Sequence, residues 1–103
     1  NTSRYYSYMI RSFKCLETEK IFQRSHSQRL PQSIQRVAMR ELWALDAAID
    51  LNELRIPPNN RLESLAGDRK GQYRIRINQQ WRICFEWSDG ELGPSNVEIV
   101  DYH

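Results

Sequence analysis

Asp101, Tyr102 and His103 set a carboxylate, a phenol and an imidazole side by side, at the end of a segment that alternates like a β-strand. An imidazole takes up and releases a proton near neutral pH. A phenol can stack on a base or donate to a phosphate, and a carboxylate can orient either group. The set suits proton transfer on RNA. Guanidinium groups complete the pattern, because Arg74 and Arg76 alternate with Ile75 and Ile77, and Arg82 is out of phase with Trp81 and Ile83. That spacing predicts three arginines on one sheet face, where paired planar donors match phosphate oxygens. Pairing of the same cations with Glu86 or Glu98 is the competing use.

Just upstream, Gly67 and Gly71 bracket Asp68, Arg69 and Lys70, and Arg61 lies a few residues earlier. The segment reads as a tight connection that needs positive φ or a close backbone approach. His26 stands between Ser25 and Ser27 in an apparent linker and reads as a solvated loop residue. No His, Cys or carboxylate group has metal-ligand spacing, and neither Cys15 nor Cys84 falls in a CxxC pattern. A metal-dependent nuclease is therefore disfavoured and no cofactor is expected. The chain also lacks a glycine-rich phosphate loop and a nucleophile elbow. Two free, half-buried thiols in a reduced, cytoplasmic protein are the simplest account of the cysteines.

The elements that must position these groups follow from periodicity. Ile10 and Phe13 fit a first strand over Met9 to Phe13, and Leu16 to Arg24 fits a short helix. Pro31 suits the first turn of a second helix, in which Ile34, Val37, Ala38, Leu42, Leu45, Ala48 and Ile49 recur at steps of three and four. Pro57 and Pro58 end the helical region. The period then changes to two, predicting strands through Arg74–Ile77 and Trp81–Trp87 joined at Asn78–Gln80, and a third strand over Asn96–His103 after turns at Asp89-Gly90 and Gly93-Pro94. Trp43, Trp81 and Trp87 are expected to meet in the core. The expected fold is α+β, two N-terminal helices packed on one face of a small antiparallel β-sheet.

With 103 residues, one domain is expected. Residues 1–8 carry no period that joins a core and are read as a non-native extension, with Met9 as the natural start of a domain over 9–103. No run is long enough to cross a bilayer, so no membrane partner is expected. The formal charge of +2 hides an ordering: residues 9–40 hold seven basic and two acidic side chains, 41–60 one and four, 61–82 six and two, and 83–103 none and five. Indiscriminate polyanion binding is a poor match to that balance, whereas a defined phosphate track is compatible with it.

Taken together, Gly67-Asp68-Arg69-Lys70-Gly71-Gln72-Tyr73, Gln80-Trp81-Arg82-Ile83 and Asn96-Val97-Glu98-Ile99-Val100-Asp101-Tyr102-His103 resemble the HigB branch of the RelE/ParE toxin superfamily. The resemblance covers Met9 to His103. It implies a RelE-like fold, a toxin that inhibits translation by cutting mRNA on the ribosome, and a HigA-type antitoxin with a helix-turn-helix domain, operator DNA being reached only through that complex. By position, Asp101, Tyr102 and His103 match the catalytic tail, and Arg82 matches the arginine that holds the scissile phosphate. Arg61, Arg69, Lys70, Arg74 and Arg76 are the expected RNA contacts. Glu63 stands where some members have a histidine, and Ala66 where they have a lysine, so two readings are open: Glu63 supplies the base as counterpart of His103, or the activity is weaker than in those members and leans more on positioning by the ribosome. Two other outcomes are a ParE-like gyrase poison on the same fold, and a weak or inert toxin that mainly binds its antitoxin.

Overall fold

The apolar period of the second helix is realised over most of its predicted length. In the computed structural model, which describes residues 10–55, 62–65, 71–88 and 90–101, this helix (α2) spans Gln32–Ala47 and buries Ile34, Ala38, Leu42 and Leu45. Pro31 is its N-cap, so the helix begins one residue later than the proline. Ile49 departs from the expected stripe, because the helix ends at Ala47 and leaves Ile49 75% exposed. A 3₁₀ segment, Leu51–Arg55, continues the chain and buries Leu54. Residues 1–8, Met9, Pro57 and Pro58 lie outside the described residues.

The short first helix (α1) is Leu16–Phe22, with Glu17 and Glu19 in its first turn and Lys20 in its last, each on the side that the helix dipole favours. Ser27 ties it to α2. Its hydroxyl donates to Glu17 Oε1 at 2.6 Å, and its backbone N–H donates to Gln35 Oε1 at 3.2 Å. The Ser27 hydroxyl, opposed by desolvation and aided by Lys20 and Arg29, holds the Glu17 carboxyl below its ordinary range.

Four strands, β1 (Glu63–Ser64), β2 (Gln72–Arg76), β3 (Trp81–Glu86) and β4 (Ser95–Asp101), form one antiparallel sheet in the order β1-β2-β3-β4. The alternation expected for β2 and β3 is realised. Ile75, Ile83 and Ile99 form a continuous cross-strand row, and with Phe85 and Val97 they meet Ile21, Ile34, Ala38, Leu42 and Leu45 of the helices. Burying each of the isoleucine, leucine, valine and phenylalanine side chains in this set stabilises the fold by about 1.5–3 kcal/mol. The helices thus cover one face of the sheet, as the sequence predicts. Gly71 turns into β2 at φ +84°, which supports the expected need for positive φ at that glycine.

Three expectations need correction. The described part of the expected first strand, Ile10–Phe13, is not one: Phe13 makes only an isolated parallel bridge to Val97, with Val97 N–H donating to Ser12 O at 3.1 Å and Lys14 N–H to Val97 O at 2.9 Å. This bridge still shields the outer edge of β4, and Ile99 N–H on the same edge donates to the buried Thr18 hydroxyl at 2.9 Å. Glu63–Ser64, where the sequence predicts no strand, is a paired strand. Trp43 does not join Trp87 in the core. Its indole N–H donates to Phe22 O at 3.0 Å, and Arg24 covers its ring at 4.5 Å, so it closes the end of α1 instead. That use satisfies the polar edge of the indole, which a dry core would leave unpaired.

Candidate functional site

Side chains alternate across a strand, so the isoleucine row fixes what lies on the other face. Arg74 is opposite Cys84, and Cys84 is opposite Glu98; Arg76 is opposite Arg82, and Arg82 is opposite Val100. All three expected arginines therefore share the face away from the helices, and all are half-buried. The direct pairing of Arg76 with Arg82 is the informative feature. Cross-strand neighbours of like charge destabilise a sheet, and a position where two arginines are direct cross-strand neighbours is suited to an anion that bridges them.

Arg82 is anchored at the β2–β3 turn, where its Nη1 donates to the carbonyl of Asn78 and, at 3.2 Å, to that of Trp81. The turn is built by Asn78. Its Oδ1 accepts from the N–H groups of Gln80 and Trp81, both at 2.8 Å, in the manner of an Asx turn. Gln80 then donates from Nε2 to Asp101 Oδ1 at 3.1 Å. One turn thus holds both the guanidinium and the last described residue of β4. The sequence pattern marks Asn78 and Gln80 only as a connection; an Asn in the turn is the available signal for the first, and nothing in the pattern marks the second.

Asp101 is exposed and opposite Trp81. By alternation it belongs to the face of Ile99, not to the face of Arg82, so it lies at the rim of the arginine surface. Tyr102 and His103, like Arg61, Ala66, Arg69 and Lys70, lie outside the described residues. Glu63 occupies the far edge. Its Oε1 accepts from Arg74 Nε at 2.5 Å, and it stands two strand spacings from Arg82, roughly 10 Å across and 7 Å along. Glu98, a competing partner for these arginines, pairs instead with Lys14 Nζ at 3.5 Å. His26 is an exposed loop residue, in agreement with its reading as solvated, and Cys15 and Cys84 are half-buried and not joined in a disulfide. Among the described residues no group of three His, Cys, Asp or Glu side chains could hold a metal ion, and no helix is long and apolar enough to cross a membrane.

Comparison with known proteins adds a family to this geometry. The model of the family described as the RelE-like toxin of type II toxin-antitoxin system HigB matches residues 11–103. The protein named Toxin HigB-1 from Vibrio cholerae serotype O1 is 43% identical over 83 residues, which are 80% of this chain and 87% of that one. Endoribonuclease HigB from Proteus vulgaris is 34% identical over 96 residues, covering 92% of this chain and all of the relative. An uncharacterized protein from Haemophilus influenzae is 34% identical over 79 residues, 77% of each chain. The two-layer fold, the arginine face and these matches agree: the chain belongs to the HigB-like family of RelE-like toxins of type II toxin-antitoxin systems.

Proposed function

We propose that this toxin is an endoribonuclease that cuts mRNA on the ribosome and so inhibits translation, by attack of the RNA's own 2′-OH and without a metal ion. The observation that carries the reading is the Arg76–Arg82 pair on the sheet face away from the helices, next to the strand that leads into Tyr102 and His103. A relative with similarity along its whole length is named an endoribonuclease.

RNA cleavage of this kind needs three services. The 2′-OH must lose its proton as its oxygen attacks phosphorus, the phosphorane must be stabilised, and the departing 5′-oxygen must gain a proton as its bond to phosphorus breaks. The products are a 2′,3′-cyclic phosphate and a free 5′-OH. Arg82, braced by the turn carbonyls, and Arg76 opposite it bind the phosphate and stabilise its developing charge. His103 serves as the acid–base group, with Tyr102 stacking on a base or relaying the proton. Asp101, held by Gln80, orients the tail. Arg61, Arg69, Lys70 and Arg74 extend the phosphate track. Acid–base work by His103 and charge stabilisation by Arg82 each contribute on the order of 100-fold or more.

Membership in a type II system means that the chain has an antitoxin partner. A HigA-type antitoxin with a helix-turn-helix domain is the proposed one, with operator DNA contacted only through the complex, and the cytoplasm is the proposed location. The test is growth arrest in cells combined with primer extension on translated message, using purified protein and ribosomes. Wild type is expected to arrest growth and to leave discrete cuts. Retention of both by a His103→Gln, Arg82→Ala double variant would refute the assignment, and broken DNA in place of cut message would point to a gyrase poison.

A further inference from the structure

β1 is only two residues long, yet it puts one carboxylate on the arginine face. Glu63 lies opposite Arg74 in register, and their ion pair is close, 2.5 Å from Nε to Oε1, with the Arg74 side chain 19% exposed and that of Glu63 51% exposed. A carboxylate offers a guanidinium the same kind of oxygen edge that a phosphate offers. Two residues along β2, Arg76 has no carboxylate partner among the described residues and faces Arg82 instead. One cation on this face is therefore covered by the protein's own anion, while its neighbour is left facing another cation. The remoteness of Glu63 from Arg82 argues against direct proton transfer at a phosphate held there.

We propose that Glu63 is a displaceable stand-in for an RNA phosphate: its carboxylate occupies Arg74 in the free protein and yields that guanidinium to a backbone phosphate flanking the scissile one when RNA binds. The proposal rests on the ribonuclease reading and gives Glu63 a role other than acid or base. An exposed edge strand suits it, because exchange requires only a rotation of one half-exposed side chain, with no movement of the core. The pair then restrains binding of stray RNA by the isolated toxin, since each RNA that engages Arg74 must first compete with a tethered anion.

The test separates KM from kcat for cleavage of translated message, measured by primer extension with purified toxin and ribosomes. Glu63→Gln and Glu63→Ala are expected to lower KM about three- to five-fold, the upper range for an ion pair of this exposure, without a matching fall in kcat. In an Arg74→Gln background the same substitutions are expected to leave KM unmoved. An unchanged KM in the single variants, or an equal drop without Arg74, overturns the exchange. A fall in kcat of about 100-fold makes Glu63 an acid–base group and also overturns it, while leaving RNA cleavage intact. Absence of cuts with wild-type toxin overturns the ribonuclease reading and the exchange with it.

Discussion

Replacing Arg76 by glutamine is expected to stabilise the free protein while weakening its action on RNA. Arg76 and Arg82 are direct cross-strand partners, so their Cα atoms are about 4.5–5.5 Å apart. For guanidinium groups roughly 7 Å apart, Coulomb's law sets the size of the repulsion. At that distance two unit charges repel by about 0.6 kcal/mol in the dielectric of water and by about 2 kcal/mol at an effective value near 20. For half-buried side chains a relief of about 1 kcal/mol lies between these limits. In a domain of this size that corresponds to a rise in Tm of about 4–8 °C. Glutamine keeps much of the aliphatic stem, so little packing is lost. The assay is thermal unfolding of Arg76→Gln and wild type at low salt and again at about 1 M salt, where the Debye length falls to about 3 Å and the difference should largely vanish. Cleavage by the same variant should drop by about ten-fold or more, since one of two guanidinium groups on the phosphate is gone. A variant that is less stable than wild type, or whose gain is the same at both salt concentrations, would show that the two arginines do not strain the free sheet and would remove the physical reason for placing a phosphate between them.

The other predictions concern the parts that hold this face in place. Thr18→Val leaves the Ile99 N–H on the edge of β4 without its acceptor, and chemical denaturation should show a loss of about 1–3 kcal/mol; Thr18→Ser should lose less. Leu42→Ala opens a cavity where α2 meets the sheet and should cost about 2–5 kcal/mol by the same method. Burial pushes the Glu41 carboxyl up, against a smaller opposing effect of Arg40. A carboxyl raised by folding destabilises the folded state when ionised, so Glu41→Gln should raise Tm at neutral pH, with the gain fading as pH falls to the ordinary carboxylate range and below. Gln80→Ala should lower kcat with little change in Tm, because it removes a hydrogen bond to Asp101 at the exposed end of β4 without touching the core.

Much of the fold was legible because two periods of burial were strong. The α2 stripe and the Ile75, Ile83, Ile99 alternation each follow from a side chain's need to leave water on one face, and those alternations also placed Arg74, Arg76 and Arg82 together. Ile49 misled because it continues the helical spacing past the point where the backbone leaves the helix, and spacing alone carries no stop signal there. Glu63–Ser64 was not legible as a strand, since two residues are too few to show a period and their pairing comes from β2. Trp43 was misplaced because its area suggested the core, whereas its indole N–H required an acceptor that the end of α1 supplies. In the site, residue types pointed to phosphate chemistry, but the Arg76–Arg82 opposition and the Glu63–Arg74 pair depend on register, which the hydrophobic pattern fixes only after the turn length is known.

The central claim, that this toxin cuts RNA by activating the RNA's own hydroxyl, is tested most directly on a message in which one ribose at a mapped cut position is replaced by deoxyribose. Primer extension after incubation with toxin and translating ribosomes should show that cut lost and the neighbouring cuts kept. A cut that persists at the deoxyribose would contradict the account, because the attacking oxygen would then have to come from elsewhere.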